Sequence, residues 1–400
     1  MTLKEELEIL RGEPIKVFEG DPKDIPCIET SDPERLCKNP VVSVHMITYN
    51  HEPYIRQAIE GVMMQKTDFE FELVIGEDAS TDKTREICFE YQKRYPDKIR
   101  VLWWHENVSK YGGNLRRVTV NCRGEFIAIC EGDDYWIDPF KLQKQVDVMR
   151  NYPNVGFCFC GSKLFYQSEN RFDDWNEDCV TYQPGVQDKD FFFTTFMFGM
   201  GPKYRRKTSY AGFIMTATTM LRKSLYHKIK EEFDVFKWGL RLGDATLWLG
   251  CSRFMDGYYI SDPVSVYRIS GSGVFQNENT RAGVLIDGII VRLYYLIHVW
   301  KLQFSDCPRY HISWLAFLVT EKLKTRRGIM EYARSLWKLP MRIIAVEYRW
   351  YMVPFWICSL LGLIKWPFRW IVTRIAFYGQ KLHSAWSKEL LNKYRYVGLT

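Results

Sequence analysis

The chain has 400 residues, of which 46% are hydrophobic, and it carries a net charge of +7 at neutral pH. This composition excludes a mostly disordered chain, because it supplies enough apolar side chains for the core of one large domain or two. The 11 cysteines form no Cys-x-x-Cys pair and the seven histidines are scattered, which excludes the common zinc motifs and favours a reduced, cytosolic setting.

Residues 1–40 are expected to form an N-terminal extension. They are net acidic and interrupted by prolines, without a periodic apolar pattern. The opening MTLKEELEIL is charged and lacks the apolar core of a signal peptide, so we expect the protein to be cytoplasmic.

From residue 41 onward, strand-like and helix-like segments alternate. The strand-like runs are VVSVHMITYN, FELVIGEDASTD, KIRVLWW and EFIAIC, and the helix-like runs between them are PYIRQAIEGVMMQ, KTREICFEYQKRY and NLRRVTVNC. The first helix has one apolar face, formed by Ile55, Ala58, Ile59, Val62 and Met63. The alternation predicts an α/β fold with a parallel, doubly wound sheet.

Two of the predicted helices have polar residues suited to cap them. Ser80, Thr81 or Asp82 is expected to cap the second helix. Asp138, followed by Pro139, is expected to cap the helix after the fourth strand.

Polar side chains follow three of the predicted strands. Thr48 and Tyr49 follow the first, Asp78 the second, and the adjacent Asp133 and Asp134 the fourth. In open α/β sheets, ligands bind in the crevice beyond the carboxyl ends of the strands. Adjacent aspartates repel each other, so this pair indicates either a shared cation or a well-solvated turn. Because neither a Gly-x-Gly-x-x-Gly fingerprint nor a Walker loop is present, a carboxylate-held metal is the simplest way to bind a diphosphate here.

Five segments together resemble the family 2 glycosyltransferases of the GT-A fold, over about residues 41–274. They are VSVHMITYNHEPYIRQAIEGVMMQ, FELVIGEDASTDKTREI, GEFIAICEGDDYWIDPFKLQKQV, LGDATLWLG and VSVYRISGSGV. The resemblance implies a Rossmann-like GT-A domain at residues 41–275. It also implies a nucleotide-diphosphate sugar as the donor.

The resemblance assigns roles at both ends of the reaction. Ile47 and Tyr49 would border the base of the donor, Asp78 would hydrogen-bond that base, and Asp133 would belong to the donor site as part of an Asp-x-Asp-type motif.

In relatives, the second carboxylate of that motif, which corresponds to Asp134, ligates Mg²⁺ or Mn²⁺ on the diphosphate. Asp244 matches the catalytic base. A divalent cation would stabilise the negative charge on the leaving oxygen, while Asp244 would accept the proton of the attacking hydroxyl. The result would be a single displacement with inversion, of the hexosyltransferase type.

The sequence departs from the family pattern at one position. Relatives commonly carry a histidine soon after a Tyr-Arg pair, whereas Tyr267 and Arg268 are followed here by Ser270. Serine is a poor ligand for a divalent ion, so metal binding is either weaker here or independent of that histidine. The alternative interpretation of the Tyr-Arg pair is an ion pair or packing contact at a strand end.

Three further site residues also have purely structural interpretations. Asp244 and Asp78 are alternatively helix-capping residues. Tyr49 is alternatively a core residue.

The remaining segments suggest an acceptor region and a membrane contact. The family resemblance implies that residues 157–240 build the acceptor side, and residues 276–345 predict a helical extension. Residues 301–400 contain 17 Lys and Arg against 5 Asp and Glu, a net charge of +12. The run WYMVPFWICSLLGLI in residues 346–400 is shorter than the roughly 20 apolar residues of a bilayer span. This basic, aromatic tail therefore predicts a helical, membrane-associating extension in the bilayer interface, the alternative being an aromatic helix pair packed on the main domain.

These features predict a glycosyltransferase, peripheral on the inner face of the plasma membrane, that extends a lipid-linked glycan in surface polysaccharide synthesis. One alternative is a sugar nucleotidyltransferase, although TYNHEPY lacks the glycine-rich basic loop which that class would show. A second alternative is a catalytically inactive membrane scaffold. Nucleic-acid binding by the basic tail is a further alternative, although no nucleic-acid partner is expected.

Overall fold

The computed structural model describes residues 20–109, 113–174, 182–189, 214–233 and 243–271. The chain divides into two compact units, and every described residue belongs to the unit formed by residues 16–277. The predicted helical extension at 276–345 and the basic tail at 346–400 lie outside the described residues, as does much of the region expected to bind the acceptor.

The described strands all belong to one mixed sheet. They are β1 (Ile28–Thr30), β2 (Val42–Thr48), β3 (Phe71–Glu77), β4 (Ile99–Trp103), β5 (Phe126–Ile129), β6 (Tyr135–Trp136), β7 (Val155–Tyr166), β8 (Arg171–Asp174), β9 (Gly185–Gln187), β10 (Met220–Arg222) and β11 (Asp256–Ile269). Neighbours follow the order β1-β4-β3-β2-β5-β10-β7-β11-β6, while β8 pairs with β7 and β9 with β11.

Helices connect and flank these strands. They are α1 (Ile55–Met63), α2 (Thr84–Arg94), α3 (Gly113–Asn121), α4 (Lys141–Asn151), α5 (Lys223–Phe233) and α6 (Gly243–Phe254). Within the described ranges, no helix is long and apolar enough to cross a lipid bilayer.

The predicted parallel core is confirmed, within a sheet that is mixed overall. Strands β4, β3, β2 and β5 run parallel to their neighbours, with helices between them in sequence. On one side β1 is antiparallel to β4, and on the other β10 is antiparallel to both β5 and β7. Because β1 and β10 have three residues each, neither is long enough to show a periodic pattern in the sequence. The parallel pair of β7 and β11 continues the sheet beyond β10.

Helix α1 packs as its pattern predicts. Four of its five predicted apolar positions are fully buried and Met63 is partly buried. Gly61 lies against β6, since a Cβ at this position would come within 2.9 Å of the backbone N and O of Trp136. The helix therefore lies directly against the strand that follows Asp133 and Asp134.

A buried ion network joins the amino-terminal ends of the parallel strands. Glu72 on β3 is fully buried, accepts from Ser43 Oγ (2.6 Å) and pairs with Arg123 Nε (2.8 Å) and Arg100 Nη1 (3.3 Å). Arg100 also forms a two-point contact with Glu29 of β1, at 2.8 and 2.9 Å. These contacts hold the short edge strand against the sheet, at the end opposite the predicted site.

Candidate functional site

The predicted pair of aspartates lies in a tight turn immediately after β5. The amide of Cys130 donates to His45 O and that of Gly132 to Ile47 O, both at 3.0 Å. These bonds extend the pairing of β5 with β2 beyond the end of β5. The acidic turn, defined here as residues 130–134, therefore lies beside the carboxyl end of β2, as the doubly wound topology predicts.

Gly132 is required by close packing under the acidic turn. A Cβ at this position would lie 2.6 Å from Thr48 Oγ1 and 2.9 Å from His51 Nδ1. Both of these atoms are buried, and neither has a hydrogen-bond partner among the described residues. Two polar groups from the end of β2 thus lie directly against the turn backbone.

The two aspartates occupy different environments. Asp134 is 2% exposed, and its Oδ1 accepts a hydrogen bond from the backbone amide of Arg268 on β11 (2.9 Å). Asp133 is only partly buried, and its carbonyl oxygen accepts from Arg268 Nε (2.9 Å). Asp134 is therefore directed into the sheet toward β11.

Asp244 on α6 lies within electrostatic reach of the acidic turn. Burial, together with the smaller effects of the Asp133 and Asp244 carboxylates, raises the pKa of Glu131 to about 8. Burial raises the pKa of Asp134 well above its ordinary value, with Asp133 and Glu131 acting in the same direction and Arg268 opposing them. Asp244 is thus brought near Glu131, although more than a hundred positions separate it from the three carboxyl groups of the acidic turn.

Glu131 was not predicted as a site residue. The signal that could have identified it is the spacing Glu131-x-Asp133, which is itself an acid-x-acid pattern overlapping the adjacent aspartates. Its electrostatic coupling to Asp244 makes it part of the same acidic group.

The acidic turn offers carboxylate oxygens, which are the kind of ligand that Mg²⁺ and Mn²⁺ take. Among the described residues, no group of three or more His, Cys, Asp or Glu side chains is arranged to hold an ion. Burial and the neighbouring carboxylates raise the pKa of Glu131 and Asp134, so both side chains favour the protonated form unless a cation lies beside them. Mg²⁺ typically takes one or two protein carboxylates and completes its coordination with water and substrate phosphates. The residues therefore fit an ion that arrives with a diphosphate.

Asp78 holds the chain segment that follows β4. It is 1% exposed, its Oδ1 accepts from Val108 N (2.7 Å), and its Oδ2 accepts from Ser109 N (3.1 Å). Its carbonyl accepts from Asn107 Nδ2 (3.1 Å). The alternative interpretation of Asp78 as a cap for the next helix is wrong, because Asp82 Oδ1 receives the amide of Thr84 at the start of α2.

The loops after β2 and β3 are interlocked beside Asp78. Asn50 Oδ1 accepts from Thr81 N (2.8 Å), and Ser80 Oγ accepts from Asn50 N (3.0 Å). Glu52 N donates to Asp82 Oδ2 (3.0 Å). Of the three predicted caps, Asp82 is the one that bonds the amide of Thr84, while Ser80 and Thr81 join the two loops.

Ile47 and Tyr49 lie at the end of β2, on this interlocked edge. Ile47 is partly buried, whereas Tyr49 is 44% exposed, so core packing does not describe its ring.

The helix after the acidic turn begins slightly later than expected, at Lys141, with Asp138 Oδ1 accepting from Phe140 N (2.8 Å) in the preceding turn.

The Tyr-Arg pair lies near the end of β11. Arg268 is buried, while Tyr267 and Ser270 are partly buried. The backbone and side chain of Arg268 both contact the acidic turn, so this residue belongs to the site rather than to a remote strand end.

Comparisons with known proteins point to one enzyme family. The sequence profile described as Glycosyl transferase family 2 matches residues 43–229. The putative glycosyltransferase EpsE of Bacillus subtilis is 34% identical over 272 residues, which cover 67% of this chain and 85% of EpsE.

Other relatives match over shorter regions. An uncharacterised protein of Mycobacterium tuberculosis is 42% identical over 126 residues, covering 32% of this chain and 36% of that protein. The putative teichuronic acid biosynthesis glycosyltransferase TuaG of Bacillus subtilis is 31% identical over 150 residues, covering 37% of this chain and 58% of TuaG. The match therefore spans about a third of the length of the mycobacterial relative and just over half of TuaG.

Proposed function

Because the chain belongs to glycosyltransferase family 2, we propose that it transfers a sugar, with inversion, from a nucleotide-diphosphate donor to a hydroxyl of a glycan acceptor. The observation that carries this proposal is the convergence of Asp244 on the acidic turn at the carboxyl edge of the sheet. A proton acceptor and a diphosphate-binding carboxylate are the two groups that such a displacement needs.

In this mechanism Asp244 accepts the proton of the acceptor hydroxyl as that oxygen attacks the anomeric carbon. The bond from that carbon to the diphosphate oxygen breaks, and the configuration at the anomeric carbon is inverted. Asp134 would hold Mg²⁺ or Mn²⁺. When bound, the ion supplies positive charge that stabilises the departing diphosphate. The acidic turn would hold this ion through Asp134, at the carboxyl edge of the sheet.

The donor nucleotide is proposed to bind along the interlocked loops. Ile47 and Tyr49 would border the base, Asp78 would accept a hydrogen bond from it, and Asp133 would contact the donor. Since both Asp78 oxygens already accept backbone amides, the base would use the second lone pair of one of them. Asp78 would thus shape the base pocket and contact its occupant.

The acceptor is proposed to be a lipid-linked glycan of surface polysaccharide synthesis, reached by a protein that lies on the cytoplasmic face of the membrane. The name of TuaG, which refers to teichuronic acid biosynthesis, supports a polysaccharide acceptor. The net charge of +12 and the tryptophans of the last hundred residues support contact with an anionic membrane.

The deciding experiment is a thermal-shift panel of nucleotide sugars with and without Mn²⁺, followed by measurement of nucleoside diphosphate release. A donor that binds raises the melting temperature with the logarithm of its saturation. A glycosyltransferase releases a nucleoside diphosphate, and this release should depend on Asp244. A sugar nucleotidyltransferase would instead release pyrophosphate from a nucleoside triphosphate and a sugar phosphate, and an inactive scaffold would release neither.

A further inference from the structure

Arg268 contacts the acidic turn and two glutamines at once. Its backbone amide donates to Asp134 Oδ1 and its Nε to Asp133 O, both at 2.9 Å. Its Nη1 donates to Gln167 Oε1 (2.7 Å) and its Nη2 to Gln57 Oε1 (2.6 Å). All three guanidinium nitrogens thus have acceptors in different segments of the chain.

Aromatic rings further restrict this guanidinium. Its central carbon lies 4.7 Å from the ring centroid of Tyr54, 5.2 Å from that of Tyr135 and 5.6 Å from that of Phe165. Arg268 is 5% exposed, so these cation–π contacts form with little competition from water. The side chain is fixed both in its plane and across its faces.

The segments that meet at Arg268 come from both halves of the sheet, namely the parallel strands β2 to β5 and the β7–β11 pair. Gln57 belongs to α1, which follows the parallel strand β2, whereas Gln167 follows β7 and Arg268 lies on β11. A substitution of this side chain would remove the Nε bond to Asp133 O, whereas the backbone amide of residue 268 would still donate to Asp134 Oδ1 and β6 would still pair with β11. The guanidinium of Arg268 therefore adds a side-chain link that holds the Asp133 backbone toward β11 and joins it to Gln57 and Gln167.

We propose that Arg268, with Gln57 and Gln167 as its acceptors, is a positioning residue that orients the acidic turn for metal and nucleotide binding. The inference rests on the proposed function, because it assigns a role within that site. An arginine is needed, since its planar fork offers donors in fixed directions whereas a lysine ammonium is a single point charge. Orientation matters here, because sites held about 1 Å too loosely lose much of their function.

The first test substitutes Arg268→Lys in the full chain. Hydrogen–deuterium exchange of the apo protein should rise at least threefold at residues 131–136 and stay unchanged at residues 42–48. Titration of Mn²⁺ in the presence of UDP, GDP, dTDP, CDP or ADP should show at least tenfold weaker metal binding for whichever nucleotide the wild type binds. At saturating Mn²⁺, kcat should return close to the wild-type value, whereas the apparent KM for the metal should stay raised.

Arg222→Lys is the matched control. Arg222 is a partly buried arginine of the same sheet, which donates to Val155 O (2.9 Å) and to Met149 O. It pairs in register with Phe126, at the start of β5 and so at the end opposite the acidic turn. This variant should lower the melting temperature without changing exchange at 131–136 or the metal titration.

Gln57→Leu and Gln167→Leu test the proposal without disturbing a buried side chain, because both glutamines are exposed. Each alone should weaken metal binding less than Arg268→Lys, and together they should approach it. Unchanged exchange at 131–136 in Arg268→Lys, or equal effects in Arg222→Lys, would overturn the proposal. Raised exchange with unaltered metal binding would overturn its functional part. A wild type that binds none of the nucleotides would remove the proposed function and this inference together.

Discussion

Asp244 is the residue whose substitution tests the chemistry most directly. Asp244→Asn should lower transfer about 10²-fold or more, since this is the usual effect of losing a general base. Nucleotide and Mn²⁺ binding should be retained, because Asp244 is proposed to act on the acceptor. Isothermal titration with the nucleoside diphosphate, beside a transfer assay, measures both. If binding and transfer fall together, Asp244 is the structural helix cap of the alternative interpretation.

Asp134 tests the proposed metal site through stability as well as activity. The raised pKa means that ionised Asp134 is unfavourable in the folded apo protein, so Asp134→Asn should leave the melting temperature equal or higher. It should also abolish the rise in melting temperature caused by Mn²⁺ with nucleotide, and metal-dependent donor turnover. Asp133→Asn is the matched variant, one position away and more exposed. Metal stimulation that persists in Asp134→Asn and disappears in Asp133→Asn would move the ligand to Asp133.

His45 gives the fold a specific dependence on pH. It is 3% exposed on β2, and burial lowers its pKa to about 4 while its Nε2 lies 3.2 Å from Leu115 O. The unfolded chain therefore binds a proton near pH 6.5, before the folded protein does, and stability falls as pH decreases through that value. Between pH 7.5 and 5 this residue should remove about 2 kcal/mol of unfolding free energy.

Urea unfolding of His45→Gln across this pH range measures that contribution. The variant should lose about 2 kcal/mol less than the wild type on acidification. His105→Gln, at an exposed position after β4, should behave like the wild type. A pH profile identical in all three proteins would show that His45 does not carry the dependence.

At the residue scale, the sequence predicted which side chains lie at strand ends, but it did not predict the groups that contact them. The alternating pattern was enough to bring Tyr49, Asp78 and Asp134 to one edge of the sheet, because parallel strands share that edge. The amides that bind Asp78 lie thirty residues away in an irregular segment, where no periodicity indicates a contact. The electrostatic reach from Asp244 to Glu131 likewise depends on how α6 packs, which residue spacing does not encode.

At the scale of elements, Asp78 is expected to order the segment after β4. Asp78→Asn replaces an acceptor of two amides by a group with one carbonyl oxygen, so either Val108 N or Ser109 N loses its partner. Exchange at residues 105–109 should accelerate, nucleotide binding should weaken at least tenfold, and stability should fall by about 2 kcal/mol.

Asp82→Asn provides the comparison for this loop. Asp82 also accepts backbone amides, those of Glu52 and Thr84, and it lies in the adjacent loop. Its substitution should cost stability without accelerating exchange at 105–109. If Asp78→Asn weakens nucleotide binding while leaving that exchange unchanged, Asp78 contacts the base and does not order the segment.

Elements with a clear period were predictable, and the short ones were not. Strands β2 to β5 and helices α1 to α3 follow continuous patterns and are four to eleven residues long. Strand β10 has only three residues, yet it joins the parallel core to the β7–β11 pair. Its antiparallel direction depends on the preceding chain path, which local propensity does not determine.

At the scale of the whole molecule, the sheet joins two functions. Its parallel half provides the loops proposed to bind the nucleotide, and the β7–β11 pair provides the residue that contacts the acidic turn from the other side. Asp134 and Arg268, which join the two halves, are separated by more than 130 positions in the sequence. Only the family resemblance pointed to Tyr267 and Arg268, because local sequence patterns do not show that β11 passes beside the acidic turn.

The last prediction concerns membrane contact by the final hundred residues, whose net charge is +12. The full chain should sediment with anionic vesicles and less with neutral ones, and salt should weaken this binding without abolishing it, because aromatic side chains also insert. The triple variant Lys365→Glu, Arg369→Glu and Arg374→Glu should lose most of the anionic preference, since each basic residue contributes roughly 1 kcal/mol near such a surface. A chain ending at residue 345 should release from vesicles and still bind nucleotide, because the unit at 16–277 contains the site. Should the shortened chain aggregate or lose nucleotide binding, the tail belongs to the core, and should it still sediment, the membrane contact lies elsewhere.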